Sequence, residues 1–258
     1  MLAHKRKQMI QELVDRYRTV RVSDLSERFG ISDVTIRRDL KELEEAGLLK
    51  RTHGGAMKVS NAAVEPSLWE LENARVREKF QIAQMAYNQI RDNDAIMIDS
   101  STTASSIIPL LKSGEKKNIT LVTNSFRAVN DLLTCEEVEV IHIGGQLRRN
   151  LQSSIGSIAE NALKTLRVDK VFIGVNGVDF TIGYTTPNLF EASIKRAMLE
   201  NANERYILAD SSKFHQTFLS IICPPDGIDH IITDSSIDPE SVSQAEAASV
   251  DLIIAPDQ

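Results

Sequence analysis

A chain of 258 residues, 42% hydrophobic and 26% charged, has ordinary globular composition, which excludes collagen-like, coiled-coil and disordered classes. No apolar run reaches the ~18 residues of a membrane helix, and the start, MLAHKRKQMI, has no signal-peptide apolar stretch. The net charge of −6 hides an asymmetry, because residues 1–58 carry 13 Lys+Arg against 9 Asp+Glu and the remainder carries 17 against 27. A small basic head on an acidic body predicts that the head meets a polyanion. Cys135 and Cys223 stand alone, without C-x-x-C spacing, so ordinary buried thiols in a reducing cytoplasm are expected.

In the head, Met9, Ile10, Leu13, Val14 and Tyr17 recur at helical spacing within residues 4–18. Val20 to Val22 is a short β-branched stretch. Ser23 is placed to cap a second helix, which Gly30 ends, with Leu25 and Phe29 turned to a core. Ser32 is placed to cap a third helix running to about Ala46. Ile36, Leu40 and Leu43 share one of its faces, and Val34, Arg37, Arg38 and Lys41 lie opposite. Leu48 to Thr52 and Ala56 to Val59 flank His53-Gly54-Gly55 as a hairpin. Helix, helix, tight turn, basic helix and hairpin make a winged helix-turn-helix.

A helix fits the major groove of B-DNA. Arg37, Arg38 and Lys41 can then reach base edges or phosphates, and Ser32 and Thr35 can donate to phosphates at the positive end of the helix. Arg51 and His53 on the hairpin would touch the flanking backbone. The bland alternative is a solvated helix face balanced by Asp39, Glu42 and Glu45.

Residues 59–66 read as a linker, small and polar with a proline. One long helix is expected over about Ser67 to Ile90, with Trp69 packed in a core or interface. Seven short apolar runs follow, alternating with helical segments. They are Ala95–Ile98, Ile119–Val122, Val138–Ile143, Lys170–Gly174, Tyr206–Ala209, Ile228–Ile232 and Leu252–Ala255. This is the βαβ rhythm of a mostly parallel α/β sheet.

Ligands bind such sheets beyond the carboxyl ends of the strands. The first run is followed by Asp99, Ser100, Ser101, Thr102 and Thr103 at a helix start, a candidate phosphate cradle. The second is followed by Thr123, Asn124 and Ser125. Gly144-Gly145 and Gly174-Val175-Asn176-Gly177 allow close approach by a backbone or a ligand. After the fifth run, Lys213 can answer a phosphate charge.

Two sets of residues carry a resemblance. Arg6, Ile10 and Val14, then Ser32-Asp33-Val34-Thr35-Ile36-Arg37-Arg38-Asp39-Leu40, resemble the signature of DeoR-family bacterial transcriptional regulators, and Leu48 to Ala56 is similar to that family's wing. The body, through Asp99–Thr103, Thr123–Ser125, Gly144–Arg148, Gly174–Asp179, Gly183–Thr185, Glu191, Lys195 and Asp210–Phe214, resembles the family's sensor domain. That domain is similar to sugar-phosphate isomerases of the ribose-5-phosphate type. The resemblance implies an operator-binding homo-oligomer, dimer or tetramer, repressing carbohydrate genes and answering a phosphorylated sugar, with Asp99 to Thr103, Thr123 to Ser125, Gly145, Gly174, Asn176, Glu191 and Lys213 as effector-binding residues. Its domains are expected at 1–58, for DNA binding, and 67–258, for the effector. The family usually has glycine where Ser101 stands; if the position needs positive φ, serine carries strain there.

The rival class is an isomerase with Asp99, Glu191 or Asp210 as its base. A regulator, however, can keep an enzyme's pocket without its chemistry. His4, His53, His142, His215 and His230 lack ligand spacing, so no metal is expected. The G-x-x-x-x-G-K-[ST] phosphate loop is absent, so nucleotide hydrolysis has no support, and no cofactor is expected.

Overall fold

A computed structural model of the chain describes residues 3–17, 19–46, 48–52, 54–58 and 65–257. The chain separates into two compact units, Met1–Asn61 and Ala62–Gln258, each with its own core.

The first unit runs α1 (Ala3–Tyr17), β1 (Thr19–Arg21), α2 (Val22–Phe29), α3 (Asp33–Glu45), β2 (Leu49–Thr52) and β3 (Gly55–Lys58). Ile10 and Val14 of α1, Leu25 of α2, and Ile36, Leu40 and Leu43 of α3 close on Val20, Leu49 and Ala56 of the strands. The helical spacing read in the sequence is what brings these side chains together. Gly30 ends α2 in the left-handed conformation, at φ 64°, where glycine carries no Cβ penalty.

Two details differ from expectation. The helix α2 starts at Val22, and the Ser23 hydroxyl bonds to Asp24 at 2.9 Å instead of capping; Val22 is buried in the core and draws that residue into the first turn. The Val20 stretch is a strand, so the wing is a three-stranded sheet in the order β1-β3-β2, wholly antiparallel. A buried ion pair joins α1 to α3, with Arg6 Nε 2.5 Å from Asp39 Oδ2 and a second nitrogen 3.1 Å from Oδ1. Breaking one member of such a pair is costly because a buried charge is left alone.

The second unit opens with α4 (Leu68–Asn73) and α5 (Val76–Gln89), not with one long helix. Ala74 is extended and Arg75 is left-handed, at φ 54°. The break lets the Lys79 ammonium donate to the Leu71 carbonyl near the end of α4, satisfying one of the acceptors a helix end leaves open. Trp69 is 72% exposed, so it is not a core residue. Val76 and Phe80 also face outward, while Ile82, Ala83, Ala86 and Ile90 pack inward.

The chain continues through β4 (Ala95–Ile98), α6 (Thr102–Ser105), α7 (Ile108–Lys112), β5 (Ile119–Thr123), α8 (Phe126–Leu132) and β6 (Val138–His142). Next come β7 (Gln146–Arg148), β8 (Ser153–Ile155), α9 (Ser157–Leu163), β9 (Val168–Gly174), β10 (Gly177–Asp179) and β11 (Gly183–Thr186). Last are α10 (Leu189–Glu200), β12 (Ala202–Leu208), β13 (Ser220–Cys223), β14 (His230–Asp234), α11 (Pro239–Ala247) and β15 (Asp251–Ala255).

Each of the seven apolar runs is a strand of one sheet, ordered β15-β14-β12-β9-β4-β5-β6 and parallel throughout. Side chains alternate between two cores. Ile96, Ile98, Phe172 and Leu208 pack under α5, α6 and α7. Met97, Val171, Ile173 and Ile207 pack with α9 and α10 on the other face. Two small antiparallel sheets, β7-β8 and β10-β11-β13, stand outside the main one. Cys223 is buried and its thiol is pushed up to about 12 by that burial, whereas Cys135 is half-buried. Among the described residues, no helix is long and apolar enough to cross a membrane.

Candidate functional site

The first unit presents the outward face of α3. Val34 is 77% exposed, and Arg37, Arg38 and Lys41 are exposed beside it. Arg37 has no hydrogen-bond or ion-pair partner among the described residues. Arg38 pairs with Glu42 at 3.2 Å, and Lys41 lies 3.8 Å from Glu45. Exposed pairs of this kind contribute only about 0–1 kcal/mol, so both cations exchange readily to a stronger anion. Ser32 occupies the cap position of α3, but its hydroxyl meets the Thr35 hydroxyl at 3.0 Å and caps no backbone N–H. Arg51 is committed to Glu44, which accepts from its side chain and from its backbone N–H, both at 2.7 Å. His53 lies outside the described residues.

In the second unit the chain leaves β4 to one side through β5 and β6, then returns to β9 on the other side. The crevice between the carboxyl ends of β4 and β9 is therefore a topological switch point, where open α/β sheets bind ligands. Asp99 follows β4 and is 1% exposed. Its Oδ1 accepts from the Ser101 hydroxyl at 2.6 Å, the Ser101 N–H at 3.1 Å and the Gly174 N–H at 3.3 Å. Its other oxygen pairs with Lys195 of α10, whose ammonium also donates to the Gly174 carbonyl at 2.9 Å.

Ser101 carries no strain, since its φ is −65° and its hydroxyl accepts from the Ala104 N–H as the cap of α6. The anticipated cost of replacing glycine does not arise. Room for the hydroxyl comes from the opposite strand. A Cβ on Gly174 would fall 2.3 Å from Ser101 Oγ, far inside any non-bonded contact a β-carbon makes. The helix α6 is only four residues long.

A second polar chain runs from Asn176 through Thr186 to Glu191 and Arg148. The Thr186 hydroxyl lies 3.0 Å from both Asn176 Oδ1 and Glu191 Oε2. Arg148 meets Glu191 at 2.9 Å and, on its other nitrogen, Glu65. Glu191 is 4% exposed; burial raises its carboxyl above the usual range, against the pull of Lys195 and Arg148.

Beside β5, the Thr123 hydroxyl donates to the Ile98 carbonyl at 2.7 Å and the Asn124 amide to the Ser154 carbonyl at 3.0 Å, while the Ser125 hydroxyl accepts from the Ala128 N–H to cap α8. Asn124 Oδ1, the hydroxyls of Ser153 and Ser154, and Asp210 Oδ2 are buried with no hydrogen-bond partner among the described residues. Buried polar atoms are rarely left unpaired in a finished fold. Burial pushes the Asp210 carboxyl up, but Lys213, 3.9 Å from Oδ2, and Ser212 outweigh it and hold the carboxyl below its ordinary value.

The expected residues thus divide. Asp99, Ser101 and Gly174 form one knot, and Asn176 and Glu191 belong to the second. Gly145 instead abuts the Ile155 carbonyl and Ala159, a contact of the β7-β8 hairpin. Spacing did not point to Arg148, Thr186, Lys195, Ser153 or Ser154. The signal for Lys195 was present, four residues after Glu191 on one helix face. Spacing also hid one juxtaposition of possible metal ligands. His215, Asp238 and Glu240 bring ligand atoms within 4.8 Å of one another, although the histidine is already bonded to Asp238 and Ser241 at 3.2 and 2.9 Å.

Residues 6–62 match the family model described as the DeoR-like helix-turn-helix domain, and residues 74–235 match the DeoR C terminal sensor domain. The chain belongs to the DeoR family of transcriptional regulators. The DeoR helix-turn-helix segment contains all of α3, and the DeoR sensor segment spans the strand ends from Asp99 to Lys213. An uncharacterized HTH-type transcriptional regulator, YulB of Bacillus subtilis strain 168, is 36% identical over 99% of this chain and 98% of its own. A putative aga operon transcriptional repressor of Escherichia coli O157:H7 is 35% identical, covering 98% and 93%. The lactose phosphotransferase system repressor of Lactococcus lactis subsp. lactis is 32% identical, covering 93% and 95%.

Lys79 adds a titration close to this DeoR-family sensor cluster. Burial lowers its ammonium from 10.5 to about 8, and the charge of Lys213 adds to the shift. Between those values the unfolded chain binds the extra proton, so stability rises with pH and the slope is lost below the folded value. Urea unfolding at pH 7.5 and 9.5 is expected to show wild type gaining about 1–2 kcal/mol on Lys79→Met. Parallel changes in the two proteins would show that Lys79 stays ordinary.

Proposed function

We propose that the chain is a repressor of a carbohydrate-utilisation operon, released from its operator by a phosphorylated sugar or related metabolite. The observation that carries this reading is the bare outward face of α3, with Arg37 unpaired among the described residues, on a chain that also holds a polar switch-point crevice. Relatives of nearly full length are named for repression of an aga operon and of a lactose phosphotransferase system. In this reading residues 1–58 bind DNA, 59–66 connect, and 67–258 bind the effector. Two or four copies act together in the cytoplasm, and the effector changes how their heads are held.

Arg37, Arg38 and Lys41 touch bases or phosphates, with Ser32, Thr35, Arg51 and His53 at the edge of the interface. The effector meets Ser100, Thr102, Thr103, Asn124 and Lys213, while Asp99, Ser101, Thr123, Ser125, Gly145, Gly174, Asn176 and Glu191 shape the walls. The unpartnered oxygens of Asn124, Ser153 and Ser154 suit the hydroxyls of a sugar. Asp99 is a poor base, because one oxygen already accepts three hydrogen bonds and the other holds Lys195. The chemistry is binding, with no catalytic step.

Alanine at Lys213 and at Thr102 tests the sensor. Both variants are expected to hold operator as wild type does, while losing the response to whichever sugar phosphate releases wild type, by about 10-fold in effector affinity. Unaltered calorimetric affinity in both variants would remove the strand-end rim from effector binding.

A further inference from the structure

The segment entering the second unit is held in an unusual way. The helix α4 has no fully buried side chain; Leu68 and Leu71 are only half-buried. Polar links tie it down instead. Glu72 pairs with Arg127 at 2.5 Å, the Leu71 carbonyl accepts from Lys79, and Ser67 and Glu70 close a capping box. Just before the helix, Glu65 reaches Arg148. Segments with little buried apolar surface open at low free energy.

Arg148 is nearly buried, with 8% of its side chain exposed, and it holds two carboxylates on separate nitrogens. These two anions are not equivalent. Glu191 is built into α10, bonded by Thr186, with its N–H received by the Asn188 cap. Among the described residues Glu65 has Arg148 as its one partner, and it arrives on a segment whose helix has no fully buried side chain. Arg148 and Lys195 together face three carboxylates, Asp99, Glu191 and Glu65, an excess of one anion, and the anion on the loosely held segment is the exchangeable one.

We propose that Arg148 is an anion subsite of the sensor crevice, occupied by Glu65 as a tethered internal ligand that an anionic effector expels. This deepens the repressor reading and rests on it for the identity of the effector. Six residues separate β3 from Glu65, so Glu65 fixes where the connection from the DNA-binding unit enters the sensor. Expelling it moves that anchoring point past Trp69, to the links that hold Leu71 and Glu72. Docked Glu65 belongs to the operator-binding state, and freed Glu65 belongs to the released state. While the docked state predominates, weakening it strengthens anion binding by the same factor.

The test uses the full chain as wild type, Glu65→Gln and Glu65→Ala, with inorganic phosphate as the first probe. Loss of the internal competitor is expected to tighten phosphate binding about 5-fold or more and to weaken effector-free operator binding by a similar factor. Adding Arg148→Met to Glu65→Gln removes the gain in phosphate affinity. Trp69 is the chain's single tryptophan, and its fluorescence anisotropy is expected to fall in Glu65→Gln and in phosphate-saturated wild type alike. General structural damage would weaken phosphate and operator binding together, so the opposite signs are decisive.

Phosphate affinity unchanged, weakened or undetectable in both single variants overturns the proposal. If sugar phosphates release wild type and Glu65→Gln from operator at equal concentrations, the repressor reading stands and the internal ligand falls. If Glu65→Gln gains phosphate affinity but no sugar phosphate releases either protein, the internal ligand stands and the sugar-phosphate reading falls.

Discussion

Replacing Arg37 and Arg38 together by alanine is expected to weaken operator binding by about 100-fold or more, if each supplies one good base or phosphate contact of ~1–3 kcal/mol. If both contacts are to phosphate, the salt dependence also becomes shallower by up to about two, since each neutralised phosphate releases about 0.9 of a counterion. Neither side chain supports the fold. Arg37 has no partner among the described residues, and Arg38 has only an exposed contact to Glu42, so thermal stability should move little. The measurement is fluorescence anisotropy on an operator selected from randomised oligonucleotides with the wild-type chain, at several salt concentrations. Unchanged affinity and slope would take α3 out of the groove. Arg37→Ala alone should cost more than Arg38→Ala, because Arg38 must give up Glu42 before it touches DNA.

The second large effect belongs to the knot at the end of β4. Lys195 and Asp99 are 4% and 1% exposed and are paired with each other. Lys195→Met leaves the Asp99 carboxylate buried without its cation, and the expected loss is about 3–5 kcal/mol in urea unfolding. Adding Asp99→Asn removes that stranded charge. Its amide oxygen still accepts from the Ser101 and Gly174 N–H groups, so at least about 2 kcal/mol should return. A single variant losing under about 1 kcal/mol, or a double variant that recovers nothing, would show that the pair is not coupled as its geometry implies.

The sequence disclosed the elements better than their arrangement. All seven strands of the main sheet were visible as apolar runs, because a strand buried on both faces has no polar alternation to blur it. The order of those strands was not visible, since pairing depends on contacts far apart in sequence. The short strands Gln146–Arg148 and Ser153–Ile155 were missed because three residues, mostly polar, make no apolar run. The break at Ala74 and Arg75 was hidden for another reason. Both residues are helix-compatible, and the bond that the break permits, Lys79 to the Leu71 carbonyl, joins residues eight apart, a spacing that helical periodicity does not bring together.

The candidate site followed the same logic. Residues immediately after strands could be found by rule, so Asp99, Asn124 and Gly174 were named. Partners arriving from elsewhere could not be found that way. Arg148 comes from a hairpin, Lys195 from the middle of a helix, and Glu65 from a stretch read only as a linker. Ser101 was flagged as a departure from glycine on the premise of positive φ. At φ −65° the backbone is indifferent, and the space it needs comes from Gly174 across the crevice.

That complementarity sets a rule for anyone who retunes this sensor by directed evolution. Libraries that diversify position 174 alone will be purged of nearly every member, because any new β-carbon collides with the Ser101 hydroxymethyl group. Randomising 101 and 174 jointly opens the reciprocal solution, in which the bulk moves to the other strand. Ligand preference should therefore shift by exchanges at this couple, and survivors should carry a small residue at one position or the other.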